Sequence, residues 1–459
     1  MSNANRRFLG HPRGLGVIVF TEAWERFSFY GMQALLVLYM ATYLLHPGRV
    51  EHVAGFAGFR AALESVVGPL STQALATQIF GLYVGMVYFL PVFGGLIGDR
   101  WLGQRRAVVL GALSMALGHF LMAFEAAFLP ALLALIVGSG LLKGNLVAQV
   151  GQLYAREDPR RDQGFSLYCL AINIGAFVAP LVCGTLGELY GWHYGFATAG
   201  VGMLVGLAVY LAGTRDLPAD ATARRGSERP QLQPGDAQAI AALVVVFLIA
   251  TLFWTAQTQV WNTYPLWIKG RVARDFIGLT IPVTWFQSLD SLAVLLLAPV
   301  VIWFWRRQAA RGREPGDLAK IAIGCGCFAL ACLELCLGEI AAGGGAVNAA
   351  WPALFHFISA VGYLYQFPVM LALFSRAAPP AVNAMMAGVA YLALFAGSFA
   401  SGWLGRYYEL LSPTQFWSMH ALIVGSGAVL TLLLQRPLLR ALRLAGAGGA
   451  HLSPQEARP

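Results

Sequence analysis

Apolar runs of roughly twenty residues recur along this chain from end to end. In a bilayer such a run is stable only as a spanning helix, because every backbone N–H and C=O has to be paired within the segment. Twelve such windows are read, near residues 14–45, 74–98, 105–127, 130–153, 164–186, 193–213, 237–268, 278–306, 319–341, 350–376, 382–407 and 414–435. The expectation is an all-α membrane protein with twelve transmembrane helices. Of the 459 residues, 58% are hydrophobic and only 12% charged, with a mean hydropathy of +0.63, whereas a soluble domain carries about a quarter charged residues. No short apolar segment with a small-residue cleavage site stands at the N-terminus, so the first helix is expected to be retained as an anchor.

The net charge of +9 would suggest a nucleic-acid partner in a soluble chain. Here none is expected, because the cations gather in alternate loops as the positive-inside rule requires. They are Arg6, Arg7 and Arg13; Arg100, Arg105 and Arg106; Arg156, Arg160 and Arg161; Arg215, Arg224, Arg225 and Arg229; and Arg306, Arg307, Arg311, Arg313 and Lys320. Lys269, Arg271 and Arg274 are the exception on the other side. This places both termini in the cytoplasm of a multi-pass inner-membrane protein. The outer loop at 46–71 is expected to be a helical extension and a turn. All six cysteines fall in apolar runs without metal-ligand spacing, and no metal or cofactor is expected.

Three ionisable groups break the first run, in Glu22-Ala-Trp-Glu25-Arg26-Phe27-Ser28-Phe29-Tyr30-Gly31. Each charge at mid-bilayer costs about 2.5–3.5 kcal/mol on insertion scales. On a helix Glu22, Glu25 and Arg26 share one face, which Tyr30 continues one turn on. This reads as an inward polar strip beside a water-filled path, with a buried pair that only fixes packing as the alternative. The turn Gly94-Gly95-Leu-Ile-Gly98-Asp99-Arg100 joins close-packing glycines to a charged helix end, where Asp99 and Arg100 can pair in one conformational state only; an ordinary cytoplasmic anchor is the plainer reading. Lys143 is a lone cation deep in the fourth run, with Glu22 and Glu25 as its obvious partners. Asn173 offers an amide in the fifth, as ligand or as packing glue.

Polar residues 214–236 lack periodicity and divide the chain into an N-terminal bundle, 1–213, and a C-terminal bundle, 237–436, followed by a tail, 437–459. Two six-helix halves joined by such a linker resemble the major facilitator superfamily, whose substrates bind near the midplane between the halves. More specifically, Glu22-x-x-Glu25-Arg26-Phe27-x-x-Tyr30-Gly31, the Asp99-Arg100 turn, Lys143 with Asn145, and Gly164-Phe-Ser with Ile172-Asn173-Ile-Gly175-Ala-Phe177 resemble the proton-dependent oligopeptide transporters. Phe253-Trp254, Phe286-Gln287-Ser288-Leu289 and Met385-Met386-Ala-Gly388 extend the likeness, more loosely, over the second half.

The resemblance implies that Glu22, Glu25 and Arg26 respond to protons with Lys143 as their salt-bridge partner, and that Arg26 and Lys143 attract a substrate carboxylate. It implies that Tyr30, Tyr88 and Asn173 line the site and that Trp254 walls a side-chain pocket. The implied activity is proton-coupled symport of di- or tripeptides or peptide-like solutes, by a monomer in a lipid bilayer.

Four departures stand against that pattern. Gln33 occupies the place of an arginine, Phe253-Trp254-Thr255-Ala256-Gln257-Thr258-Gln259 lacks the usual acid, Tyr363 stands where a glutamate grips the peptide amine, and Asp290-Ser291 replaces Asn-Pro. Losing cation and acid together fits the disappearance of one family salt bridge. Asp290 is either a relocated acid, for coupling or for a substrate amine, or a buried structural residue. The alternative cargo is a non-peptide or N-blocked acidic solute. A membrane enzyme is a third reading, weakened because His119, His193, His356 and His420 stand singly and no nucleophile arrangement presents itself.

Overall fold

A computed structural model describes residues 7–155, 158–220, 232–276 and 278–447. Arg6, Arg156, Arg224, Arg225 and Arg229, the middle of the expected linker (221–231) and the end of the tail lie outside the described residues. In chain order the helices are α1 (Arg13–Tyr39), α2 (Phe56–Val67), α3 (Thr72–Phe89), α4 (Pro91–Ile97), α5 (Gln104–Leu121), α6 (Phe128–Gln152), α7 (Arg160–Ala179), α8 (Thr185–Leu189), α9 (Trp192–Ala212), α10 (Asp236–Gln257), α11 (Thr263–Arg271), α12 (Val283–Ala309), α13 (Asp317–Ala342), α14 (Ala350–Ala377), α15 (Asn383–Leu404) and α16 (Pro413–Ala447). Strands are confined to two short hairpins among the described residues.

Eleven helical stretches among the described residues are long and apolar enough to cross a membrane. Each of the twelve predicted windows contains a helix, so the difference from twelve lies in one of them. That one is α5, predicted over 105–127: its 18 residues begin Gln104-Arg105-Arg106 and end beyond His119, leaving too short an apolar stretch. The outer loop predicted as an extension and turn holds a helix of its own, α2. At the other end, α16 continues to Ala447, past the expected boundary at 436.

Prolines explain why several spans are segmented. Pro265 has no N–H to give Trp261 and its ring crowds that carbonyl, so the seventh window is broken between α10 and α11 by a 3₁₀ turn, Thr258–Trp261, and by Asn262. Pro91 opens α4, and Pro180 starts a π-helical turn, Pro180–Gly184, that separates α7 from α8.

Helix contacts fall into two groups. Helix α1 packs on α7 and α9, and α5 on α6 and α9; α13 packs on α14 and α16, α10 on α15 and α16, and α12 on α14. Two seams join the groups, α3 along α15 and α7 along α12. Small residues make the closest of these contacts possible: a Cβ on Gly81 would stand 2.7 Å from Gly402 Cα, and one on Gly175 would stand 2.9 Å from Arg26 Cβ.

Candidate substrate cavity

A cavity of about 810 Å³ lies among α1, α3, α4, α6, α7, α10, α12, α14 and α15. Four charged side chains line it: Glu22 and Arg26 from α1, Lys143 from α6 and Asp290 from α12. Tyr30, Tyr88, Asn173, Trp254 and Tyr363 also line it, so these nine residues meet in one space although they come from seven helices. Glu25 does not reach the wall. It is wholly buried, on the inner side of the same α1 face.

Arg26 holds the acidic pair. Its Nε lies 2.7 Å from Glu22 Oε1 and 2.6 Å from Glu25 Oε2. A guanidinium Nε carries a single hydrogen, and it is donated to Glu22. Glu25 is therefore held by charge without an aligned hydrogen bond, and both of its oxygens lack a hydrogen-bond partner. The expected salt bridge from Lys143 to this pair is absent in this arrangement. Lys143 is in no ion pair among the described residues, and its Nζ, without a hydrogen-bond partner, sits 4.2 Å above the Phe29 ring and 4.8 Å from that of Tyr88. The physical reason is that Arg26, one helical turn from Glu22 on the same helix, already lies against both carboxylates, while Lys143 approaches from another helix.

Aromatic groups shape the rest of the wall. Trp254 meets Phe367 and Tyr363 edge to face, at 5.2 and 6.3 Å between centroids. Tyr30 reaches across to Trp261, with their rings 5.1 Å apart. The amide group of Asn173 donates to the Cys169 carbonyl one turn back, at 2.9 Å. Asp290 lies 3.7 Å from His356 Nδ1, on α14.

The predicted turn residues lie elsewhere. Asp99 and Arg100 sit in a π-helical turn, Gly98–Leu102, and do not pair with each other. Asp99 instead accepts from Gln104 Nε2 at 3.0 Å, whose carbonyl oxygen accepts from Gln152 Nε2, also at 3.0 Å. The first residues of the expected linker dock close by. Arg105 donates from Nε to the Pro218 carbonyl at 2.8 Å and from a terminal amine to that of Leu217, and its backbone N–H donates to Asp220 at 2.9 Å.

Sequence reasoning did not assign Gln33, Tyr168, Gln257, Trp261, Phe367 or Tyr391 to the site, yet all six line the cavity. A signal existed for some of them. Trp254, Gln257, Thr258 and Trp261 recur at helical spacing, as a single stripe. Gln33, where the family's arginine is missing, and Gln257, within the stretch that lacks the acid, each keep a buried carbonyl oxygen without a hydrogen-bond partner.

Comparison with known proteins follows this geometry. The POT family model matches residues 105–225 and 219–412. The peptide transporter YePEPT of Yersinia enterocolitica is 30% identical, covering 94% of this chain and 95% of its own length. A crystal structure of the peptide transporter POT in complex with sulfate superposes with a TM-score of 0.84 at 28% identity, over 95% of this chain and 97% of that one. Another, of a POT family transporter in complex with 5-aminolevulinic acid, gives 0.82 at 25% identity, over 94% and 98%.

Proposed function

The chain belongs to the POT family, and on that footing we propose that it is a proton-coupled symporter importing di- and tripeptides or peptide-like solutes by alternating access. It is a membrane transporter rather than an enzyme, as its relatives are. The observation that carries the cargo assignment is the charge layout of the cavity. Arg26 is shared by Glu22 and Glu25, which leaves Lys143 as a cation without an ion pair and Asp290 as the acid that another helix brings to the same cavity. A zwitterion, with a carboxylate at one end and an ammonium at the other, complements two such charges. Glu22, Glu25 and Arg26 are the proton-responsive cluster: protonating a carboxylate weakens its hold on Arg26 and shifts the balance of states. The two groups of helix contacts support twelve spans in two six-helix halves, α5 counted as the third span. The positive-inside pattern supports an inner-membrane protein with both termini cytoplasmic, and a monomer is the proposed working unit. In the test, purified protein in liposomes is given an inward proton gradient with labelled dialanine. Accumulation above the external concentration, abolished by a protonophore, is expected; uptake no greater than in protein-free liposomes rejects the proposal.

One observation favours a second cargo. Tyr363 lines the cavity where the family carries a glutamate, so the wall of α14 offers a hydroxyl and no charge to an amine. A non-peptide or N-blocked acid is then the alternative, and the relative holding 5-aminolevulinic acid is consistent with a non-peptide solute on this fold. Equal competition by dialanine and N-acetyl-dialanine would favour it.

A further inference from the structure

Asp290 is the one carboxylate that α10 to α16 contribute to the cavity wall, and the one partner within ion-pair distance of it among the described residues is His356. The imidazole is wholly buried. Its Nδ1 faces Asp290 and has no hydrogen-bond partner. Its Nε2 lies 2.9 Å from the Tyr264 hydroxyl of α11, which also stands 3.3 Å from the Pro352 carbonyl.

This surrounding satisfies Nε2 in two protonation states and leaves Nδ1 within ion-pair distance of Asp290 in both. With a neutral ring, the Tyr264 O–H donates to Nε2 and Nδ1–H points at Asp290. With an imidazolium, Nε2–H donates to the Tyr264 oxygen, the tyrosine proton turns to Pro352, and Nδ1–H compensates Asp290. Imidazole is the side chain whose ordinary titration lies in the physiological range.

We propose that Asp290 is the binding site for the amine of the cargo and that His356 gates it. When the ring is neutral, the carboxylate is free to pair with an ammonium group; when the ring takes a proton, the pair is internally neutral and the amine is released. The proton leaves a hydronium ion of cavity water, breaking one O–H bond and forming one N–H bond, and the reverse step returns it. The proposal rests on the transporter reading above and names the group that the site reads.

Other groups near the pair do not duplicate this role. Tyr30 of α1, Tyr264 of α11 and Tyr363 of α14 lie within electrostatic reach of Asp290. Glu334 of α13 is within reach of Tyr264 but bonds to neither member of the pair. From α7, Asn173 lines the same cavity without a charge, and from α16, His420 is engaged by Gln259 and the Phe416 carbonyl. No arginine or lysine among the described residues pairs with Asp290.

The experiment measures competition by dialanine and by N-acetyl-dialanine at about pH 8 and about pH 5.5, on either side of the ordinary imidazole range. In the wild type, preference for the free amine should fall at least about tenfold at the lower pH. His356→Gln should hold that preference constant across pH, and Asp290→Asn should remove it at both values. A pH-dependent preference surviving in His356→Gln, or an intact preference in Asp290→Asn, overturns the proposal. Nitrogen NMR of histidine-labelled protein without cargo reads the pair independently of transport. The pH response of the His356 ring should change in Asp290→Asn, and an unchanged response also overturns the proposal. If neither dipeptide competes in the wild type while that response does change, the cargo reading fails and the pair stands.

Discussion

Arg26 has one Nε hydrogen and two carboxylates within 2.7 Å, so Glu22 and Glu25 are not equivalent. Glu25→Gln leaves the Arg26–Glu22 hydrogen bond in place and should melt close to wild type. Glu22→Gln keeps an amide oxygen that can accept from Nε but removes the charge behind that bond, leaving Glu25 as the carboxylate on Arg26, and should be destabilised by about 1–3 kcal/mol. Both variants should lose gradient-driven uptake and keep counterflow, because exchange at balanced gradients needs binding and reorientation but no net proton movement. Wild-type accumulation in both would place coupling elsewhere.

Lys143 presents the opposite case. Its ammonium rests on the Phe29 and Tyr88 rings without a direct ion pair or hydrogen bond to a carboxylate. Lys143→Gln should therefore leave the melting temperature unchanged or higher, while uptake of carboxylate-bearing cargo falls at least about tenfold, the equivalent of roughly 1.4 kcal/mol. A large loss of stability would show that the sequence-based pairing with Glu22 and Glu25 operates in this protein. The sequence made this lysine conspicuous but could not reveal that its expected partners were already taken.

At the scale of elements, the entry to α7 is organised by a surface acid. Asp158 accepts the backbone N–H of Arg160 at 2.9 Å and its guanidinium at 2.7 and 3.0 Å, and these bonds pull its carboxyl down from 3.8 to about 2. A depressed carboxyl contributes stability that is fully present above its ordinary value and is lost as the pH falls through the lowered one. That window lies below the range of transport assays. Asp158→Asn should accordingly leave the pH profile of uptake unchanged between about pH 5 and 8, with the profile following the α1 cluster instead. A shifted profile in this variant would implicate the loop before α7 in coupling. Where helices break was not legible from proline alone: Pro91, Pro180 and Pro265 stand at breaks, whereas Pro299, Pro368 and Pro437 lie inside continuous helices. That α5 fell short was legible, in its Gln104-Arg105-Arg106 start, but a run of apolar residues beyond it masked the signal.

For the whole molecule, the α7–α12 seam is latched at one end. The Glu188 carboxylate of α8 accepts from the Val283 and Thr284 backbone N–H groups at 2.9 Å each and from the Thr284 hydroxyl at 2.8 Å, and Trp285 donates to Thr185 at 2.8 Å. An acid that caps the first N–H groups of α12 from another helix also ties together the two groups of helices. Glu188→Ala should cost that end about 1–2 kcal/mol, a five- to thirtyfold shift toward the state open there. Spin labels at exposed Tyr190 and Leu279 should then report a larger population of long distances. An unchanged distribution would mean that the seam does not part there.

Sequence by itself determined the helical membrane class, the positions of the spans and the identity of most charged residues in the cavity. Those properties follow from local hydropathy, helical periodicity and the cost of a charge in hydrocarbon, none of which depends on distant partners. Only the tertiary structure decided which ionisable groups meet. Glu22 and Asp290 line one space, Lys143 rests on aromatic rings, and His356 reaches Asp290 across α12 and α14. Those distances are set by how closely helices approach at sites such as Gly175 and Gly81, where the missing side chain lets two backbones touch. A single histidine in an apolar run carries no sign of the carboxylate that packing will bring to it.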